Sequence, residues 1–543
     1  MKRLVYLISG IALVTSLVIA SACGPSTGVS GSGQYDIAIN NGRLMDPLSG
    51  FDGVANIGIQ EGKIATIVPA SQKLAGKRTI DAKGLVVAPG FIDIHGHDTG
   101  NGTGAEFHVR DGITTEVTSN CGISGTFFPV PRPRQFPHYP IADFFSAVEK
   151  EGLIINVASY IGNITMREAV GVKDVNAQST PEEIAKMVEL VKQEMEAGAL
   201  GISFGPFYGP GTTYEEMLIL AKEVSKLGGG ASIHVRKAFP APQDIEAVEE
   251  AINLSKEANV PLLISHRGGS LLLPKSTGLA LELISSARNA GIKVATDSQP
   301  YDAGYTLISA AVFNAPLEPV AKYLGVTLSD FQVASTVVVD GKVLIKAGEA
   351  FSSFEQFYLI RDKARAGEIR DPGVIMTHLY KPDQIWIYYT APFTMVENDG
   401  AIYVDQATNK YAGHPRGAGS FAKFLGYWVR ERGVCDLMTG ISKCSTMAAV
   451  WLGLDTKGRV HVGCDADLTL FDPYGITARS TYVEPGQASE GIPYVIVNGA
   501  LAVDKGQLTG VKAGKVIRRT WKVPGILPNL GTVPSNELST LTK

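Results

Sequence analysis

The chain has 543 residues, of which 45% are hydrophobic and 19% charged, with a formal net charge of -4. Such a composition excludes a disordered or fibrous chain and leaves room for a large catalytic domain with an accessory one. No long basic stretch occurs, which excludes nucleic acid as the main partner.

Lys2 and Arg3 precede a mostly apolar run from Leu4 to Ala20, and Ser21-Ala22 lead into Cys23. This order is that of an export signal over residues 1–22. Small residues directly before a Cys also follow the bacterial lipoprotein pattern, in which Cys23 becomes the lipidated N-terminus. Ala20 stands where Leu is commoner in that pattern; plain cleavage after Ala22 and a lone membrane anchor are the alternatives. The expected location is periplasmic or cell-surface, with a lipid anchor on Cys23 holding the chain to a membrane. Residues 23–33, rich in Gly and Ser, read as a flexible tether. The five cysteines (Cys23, Cys121, Cys435, Cys444 and Cys464) form no CxxC pair, so no disulfide scaffold is indicated, and pairing of Cys435 with Cys444 is left open.

Residues 34–90 read as short strands punctuated by Asn-Gly, Glu-Gly and Lys-Gly turns. The same texture returns over 455–520, in ADLTLFDP and IPYVIVNGALAV. Two such segments can form one small β-sandwich that brackets what lies between, followed by a C-terminal tail over 521–543. Between them, residues 91–454 alternate apolar strands with amphipathic helices such as PEEIAKMVELVKQEMEAG. Strand candidates are 91–97, 114–120, 154–163, 199–207, 230–236, 261–268 and 292–301, with a last one near Ala391–Asp399. Continuous apolar strands alternating with helices mean buried parallel β-structure, in a doubly wound sheet or a (β/α)8 barrel. Residues from about 315 to 390 break the rhythm and are expected to form an inserted subdomain.

Polar residues gather at the C-terminal ends of these strands, where barrel chemistry resides. His95 and His97 stand two apart, so both imidazoles point to one side and can reach one ion. His234 and His266 each end an apolar strand, and imidazole suits zinc. Four histidines exceed what one catalytic ion takes, which points to one tight zinc site and a second, weaker one. Cys121, beside histidine ligands, is a soft zinc ligand able to bridge two ions; alone, it is a small buried hydrophobe. Asp399 is placed to take a proton from metal-activated water and return it to a leaving amine. Asp297 and Asp302 are its rivals, with Glu397 ranked behind them. Arg416 is a candidate clamp for a substrate carboxylate through its planar fork. His108, His138, His378, His414 and His461 are left structural or unassigned.

Together PGFIDIHGH, GITTEVTSNCGIS, GISFGPFYGPG, SIHVR, LISH and HPRGAGSFAKFLGYWVRERG resemble the D-aminoacylase (N-acyl-D-amino-acid deacylase) family of the amidohydrolase superfamily. The resemblance spans nearly the whole chain after the tether and implies an α/β fold, a (β/α)8 barrel with a small β-sandwich from both ends. It implies Cys121 as the bridge between one metal position with His95 and His97 and another with His234 and His266. It also implies Asp399 as general base and acid, Tyr208 and Tyr301 as pocket-lining aromatics, and Arg416 as the carboxylate-holding arginine. Three departures stand out: Gly268 where relatives often have a basic residue (Arg267 is adjacent), Asn163 where many have His, and NDG for an SDG-like motif.

The expected activity is zinc-dependent hydrolysis of an N-acyl-D-amino acid, or a related small amide, to a D-amino acid and a carboxylate. One alternative is a related hydrolase of a cyclic amide, lactone or dipeptide. An alternative of another class is a non-catalytic ligand-binding lipoprotein.

Overall fold

A computed structural model describes residues 35–124, 140–236, 244–266, 274–400 and 402–528. The export signal, the tether with Cys23, His138, Arg267, Gly268 and the chain from 529 onward lie outside the described residues.

The strands of the middle of the chain are short and wholly buried. Phe91–Asp93, Ile113–Thr118 and Asn156–Ser159 pair in parallel as one three-stranded sheet. Ile161–Gly162, Gly201–Phe204, Gly230–Ile233, Leu262–Ile264, Val294–Ser298 and Thr394–Val396 follow in a six-stranded parallel sheet, neighbours in chain order. The strand expected over 154–163 is therefore interrupted at Tyr160, and its halves belong to different sheets. The sheets are joined there: Tyr160 N donates to Thr118 O at 3.1 Å and Leu200 N to Ser159 O at 2.9 Å. They also meet across the first and last strands, where Asp399 N donates to His95 O at 3.0 Å. At the opposite ends of those strands, Lys443 Nζ donates to Ala391 O and Thr394 O, and Ser445 Oγ donates to Gly90 O.

Helices alternate with these strands, and their sequences show why they form. Pro181–Glu196 opens behind a reciprocal cap between Thr180 and Glu183, with Pro at its first turn. Met187, Val191 and Met195 recur at four-residue spacing and face inward. Tyr214–Lys226 opens behind Thr213, whose side chain accepts from Glu216 N.

The N-terminal strands Tyr35–Asp46, Phe51–Gln60, Lys63–Pro69, Gly76–Asp81 and Val86–Pro89 share one nine-stranded sheet with Leu468–Phe471, Tyr494–Val497, Ala500–Asp504 and Gln507–Leu508. The two ends of the chain meet where Val86–Pro89 pairs antiparallel with Leu468–Phe471. Tyr35–Asp46 carries a bulge between Ile39 and Gly42 and pairs Gly76–Asp81 before it and Val86–Pro89 after it, so the sheet branches there.

The break in the parallel rhythm starts at Gly304, upstream of the position expected from sequence. Gly304–Thr306 and Phe331–Val333 flank Val374–Met376 in an antiparallel sheet, and Val337–Val339 pairs Lys342–Ile345. Helix Pro382–Thr390, which sequence places inside the insertion, carries Gln384, whose amide donates to Thr277 Oγ1. It is the crossover that leads into strand Thr394–Val396. Beyond residue 512 the chain leaves the mixed sheet and crosses the parallel strands: Gly514, Ile517, Arg519 and Val523 amides donate to Leu153, Val157, Gly198 and Gly228 carbonyls. Cys435 and Cys444 are free thiols. Among the described residues no helix is long and apolar enough to cross a membrane.

Candidate metal centre

Three of the four strand-end histidines meet one sulfur. Cys121 Sγ lies 3.3 Å from His95 Nε2, 3.3 Å from His234 Nδ1 and 3.2 Å from His266 Nε2. Asp399 closes the cluster from the last strand, with Oδ1 3.0 Å from His97 Nε2 and 3.7 Å from His95 Nε2. Its Oδ2 lies 3.3 Å from His266 Nδ1 and 2.8 Å from Arg416 Nη2. Two donor groupings overlap at Cys121: His95, His97, Cys121 and Asp399 in one, Cys121, His234 and His266 in the other.

The backbone is bent to achieve this. Cys121, His266 and Asp399 adopt left-handed φ of 57°, 56° and 49°. Each costs an L-residue on the order of 1–3 kcal/mol, and such strain concentrates at functional sites. Gly96 separates His95 from His97 because no side chain fits there: a Cβ would lie 2.0 Å from Glu116 Oε1. Glu116 Oε1 accepts from Asp98 N and Oε2 pairs with His108, which fixes the His-Gly-His loop from below.

The electrostatics call for a cation. Burial pushes the imidazoles of His95 and His266 down to about 3, so both are neutral at pH 7 and carry a free lone pair. Burial, then the carboxylates of Asp399, Glu397 and Asp297, push the Cys121 thiol well up. Burial opposes ionisation of Asp399, but Arg416, with His266 and His97, holds its carboxyl well below the usual range. Burial and the neighbouring carboxylates Asp297 and Asp399 raise Glu397 well above its ordinary value, and burial raises Asp297 to about 6. A thiol, neutral imidazoles and clustered carboxylates around one nearby guanidinium form a donor set that suits zinc, which would also reverse the cost of ionising the thiol.

The pocket residues divide. Tyr208 accepts from Thr306 Oγ1 at 3.3 Å and stands edge-on to His234, against which Phe207 also packs. Arg416 is buried beside Asp399, and its Nε is without a hydrogen-bond partner among the described residues. Tyr301 contacts a different layer: its hydroxyl meets Ser480 and its ring lies beneath Lys423. The ring facing Arg416 is that of Tyr305, at 5.9 Å. Sequence periodicity did not single out Tyr305, because it follows the turn where the parallel rhythm ends. Asn163 accepts from Gly205 N at 2.9 Å and donates to Thr212, so it secures the turn bearing Phe207 and Tyr208. Asp302 accepts from Tyr482, apart from the histidines, whereas Asp297 and Glu397 lie directly behind them. His378 pairs with Asp330 and His461 bonds the adjacent Val462 carbonyl, while His414 packs among Tyr301, Tyr305 and Tyr482.

No protein-family model matches the chain. It is 30% identical over 520 residues to the D-aminoacylase of Alcaligenes xylosoxydans xylosoxydans, covering 90% of this chain and 99% of that protein. It superimposes with a TM-score of 0.74 and 27% identity on the N-acyl-D-glutamate deacylase of Bordetella bronchiseptica, a complex with zinc and a phosphonate mimic of the reaction's tetrahedral intermediate. That match covers 90% of this chain and 100% of the other. A D-aminoacylase structure described by its binuclear metal centre, with one-metal activation and second-metal attenuation, matches with a TM-score of 0.73 and 26% identity over 89% of this chain and all of that one.

Proposed function

Because this chain belongs to the D-aminoacylase family of amidohydrolases, we propose that it is a zinc-dependent hydrolase that cleaves N-acyl-D-amino acids to a D-amino acid and a carboxylate. The observation that carries this reading is the contact of Cys121 Sγ with three imidazoles, closed by Asp399. The reading takes the alternating strands and helices as a (β/α)8 barrel, with the nine-stranded sheet as its β-sandwich.

His95, His97 and Cys121 would hold one ion, and Cys121, His234 and His266 the other. Bound zinc lowers the pKa of a water to roughly 7 and polarises the acyl carbonyl. Asp399, ionised at neutral pH, accepts the proton of the attacking water. A carboxyl held so low is a weak base, suited to a water of raised acidity and ready to release the proton to the leaving nitrogen. Arg416 has donors left beyond its Asp399 contact, so it can take the substrate carboxylate while keeping the base ionised. Tyr208 and Phe207, packed on His234, orient the amino-acid part by shape, and Tyr305 faces Arg416.

Export with a lipid on Cys23 is part of the proposal, supported by Lys2-Arg3, the apolar run and the small residues before Cys23. Labelled palmitate should enter the wild type and not Cys23→Ala; equal labelling would overturn it. The activity is tested with zinc-loaded protein against N-acyl-D- and N-acyl-L-amino acids and cyclic imides. Preferential cleavage of the D-series is expected, and turnover of the cyclic imides alone would overturn the assignment.

A further inference from the structure

The rings of His95 and His266 present their two edges alike. Both Nε2 atoms face Cys121 Sγ. Both Nδ1 atoms face a pair of fully buried carboxylates that the proposed reaction does not use, and His266 Nδ1 also lies 3.3 Å from Asp399 Oδ2. Asp297 Oδ2 lies 3.3 Å from His95 Nδ1, and Glu397 reaches both rings, at 3.2 Å from His266 Nδ1 and 3.5 Å from His95 Nδ1. Asp297 Oδ1 is occupied elsewhere, accepting the main-chain N–H of His266 at 2.6 Å.

We infer that Asp297 and Glu397 are positioning residues that fix His95 and His266 in the Nδ1–H tautomer, leaving both Nε2 lone pairs for metal. This rests on the zinc reading above. An imidazole donates from one nitrogen and ligates from the other, so an acceptor behind the ring selects the ligating edge. His95, His266, Asp297 and Glu397 could themselves be taken as a site for a third ion. The contacts favour the orienting role, because Nδ1 atoms committed as donors to these oxygens cannot also ligate.

The geometry makes an unusual order of effects. Asn at position 297 is nearly isosteric, yet it offers one acceptor where two are used. The His266 N–H, at 2.6 Å, pins the amide oxygen, so the amide NH2 confronts His95 Nδ1. That donor demands the opposite tautomer and places a proton on Nε2, against Cys121 and the ion. Ala at 297 imposes no donor and leaves His95 free to choose. Asp297→Asn should therefore weaken zinc binding about 100-fold and Asp297→Ala about 10-fold, within the span seen when such partners are removed. A packing role would reverse that order, since Asn conserves the volume.

The test is competition for zinc between a chromophoric chelator and metal-free wild type, Asp297→Asn and Asp297→Ala, each checked for wild-type circular dichroism. Asn weaker than Ala supports the inference. Equal affinities, or Ala weaker than Asn, overturn it and leave the zinc reading standing. A wild type that takes up no zinc overturns both. If the variants do not fold, 15N-histidine spectra of the wild-type zinc form decide, with His95 assigned by its loss in His95→Gln. A protonated Nδ1 on His95 supports the inference and a protonated Nε2 overturns it.

Discussion

Two clusters of acidic groups among the described residues are balanced differently. At the junction of the mixed sheet with the parallel strands, Lys457 Nζ sits 2.5 Å from Asp467 Oδ2 and 3.2 Å from Asp465 Oδ2. Lys63 takes the other Asp465 oxygen, and Asn156 and Asn498 donate to Asp467. Every carboxylate oxygen there has a donor built into the chain. At the strand ends, Asp297, Glu397, Asp399 and Cys121 gather about neutral imidazoles with Arg416 as the nearby guanidinium. Burying charge without a partner costs several kcal/mol per group, roughly, so the first cluster is a finished joint and the second is a receptor for a cation.

The largest effect should come from the receptor. Asp399→Asn should lower turnover about 10²- to 10⁴-fold, the usual worth of a positioned acid-base group, while zinc content stays at the wild-type level. Steady-state kinetics with metal analysis of the same sample checks it; unchanged turnover breaks the assignment.

At the joint, Lys457→Met should destabilise the fold by about 3–5 kcal/mol, because buried Asp467 loses its cation and half-buried Asp465 keeps only Lys63. Denaturant unfolding measures this. Zinc content per folded chain should not change, which separates the clusters. Zinc itself should act on the receptor alone: at one hundred times its dissociation constant it should stabilise the wild type by about 2.7 kcal/mol. Thermal unfolding with and without zinc reads this. The same increment in Lys457→Met sharpens the comparison, and its loss there would break it.

The smallest effect is at acid pH. Burial opposes ionisation of Asp465, but Lys457 and Lys63 hold its carboxyl down to about 2, below the ordinary 3.8. A depressed carboxyl adds stability that is fully present above pH 4 and is lost as pH falls through about 2. Because Asp465 is partly exposed, solvent screening keeps the amount small. Asp465→Asn should flatten that acid limb in a melting-temperature series, and an unchanged limb would contradict it.

The receptor was legible in the sequence to the extent that chemistry follows strand ends. His95, His97, Cys121, His234, His266 and Asp399 all stand just past the end of a strand, and the fold gathers them. The places of Asp297 and Glu397 were not legible. Glu397 and Asp399 are two apart, which in a strand would put them on one side. The regular strand ends at Val396, however, and Asp399 turns into left-handed backbone, so Glu397 lies behind the rings while Asp399 reaches His97 Nε2 with Oδ1 and His266 Nδ1 with Oδ2. Tyr301 and Tyr305 are separated by a turn that no periodicity describes. The course of residues 512–525 was equally hidden, because that segment binds through main-chain amides, which leave no side-chain pattern. The joint was illegible for another reason: Lys457, Asp465 and Asp467 follow no motif or period, and only the packing brings them together.

If the cluster around Cys121 is a cation receptor, metal analysis of purified wild type beside Cys121→Ala shows it most directly. Stoichiometric zinc in the wild type, lost or reduced to a fraction in Cys121→Ala with the fold retained, is the predicted result. No zinc in the wild type, or the same zinc in both proteins, would contradict it.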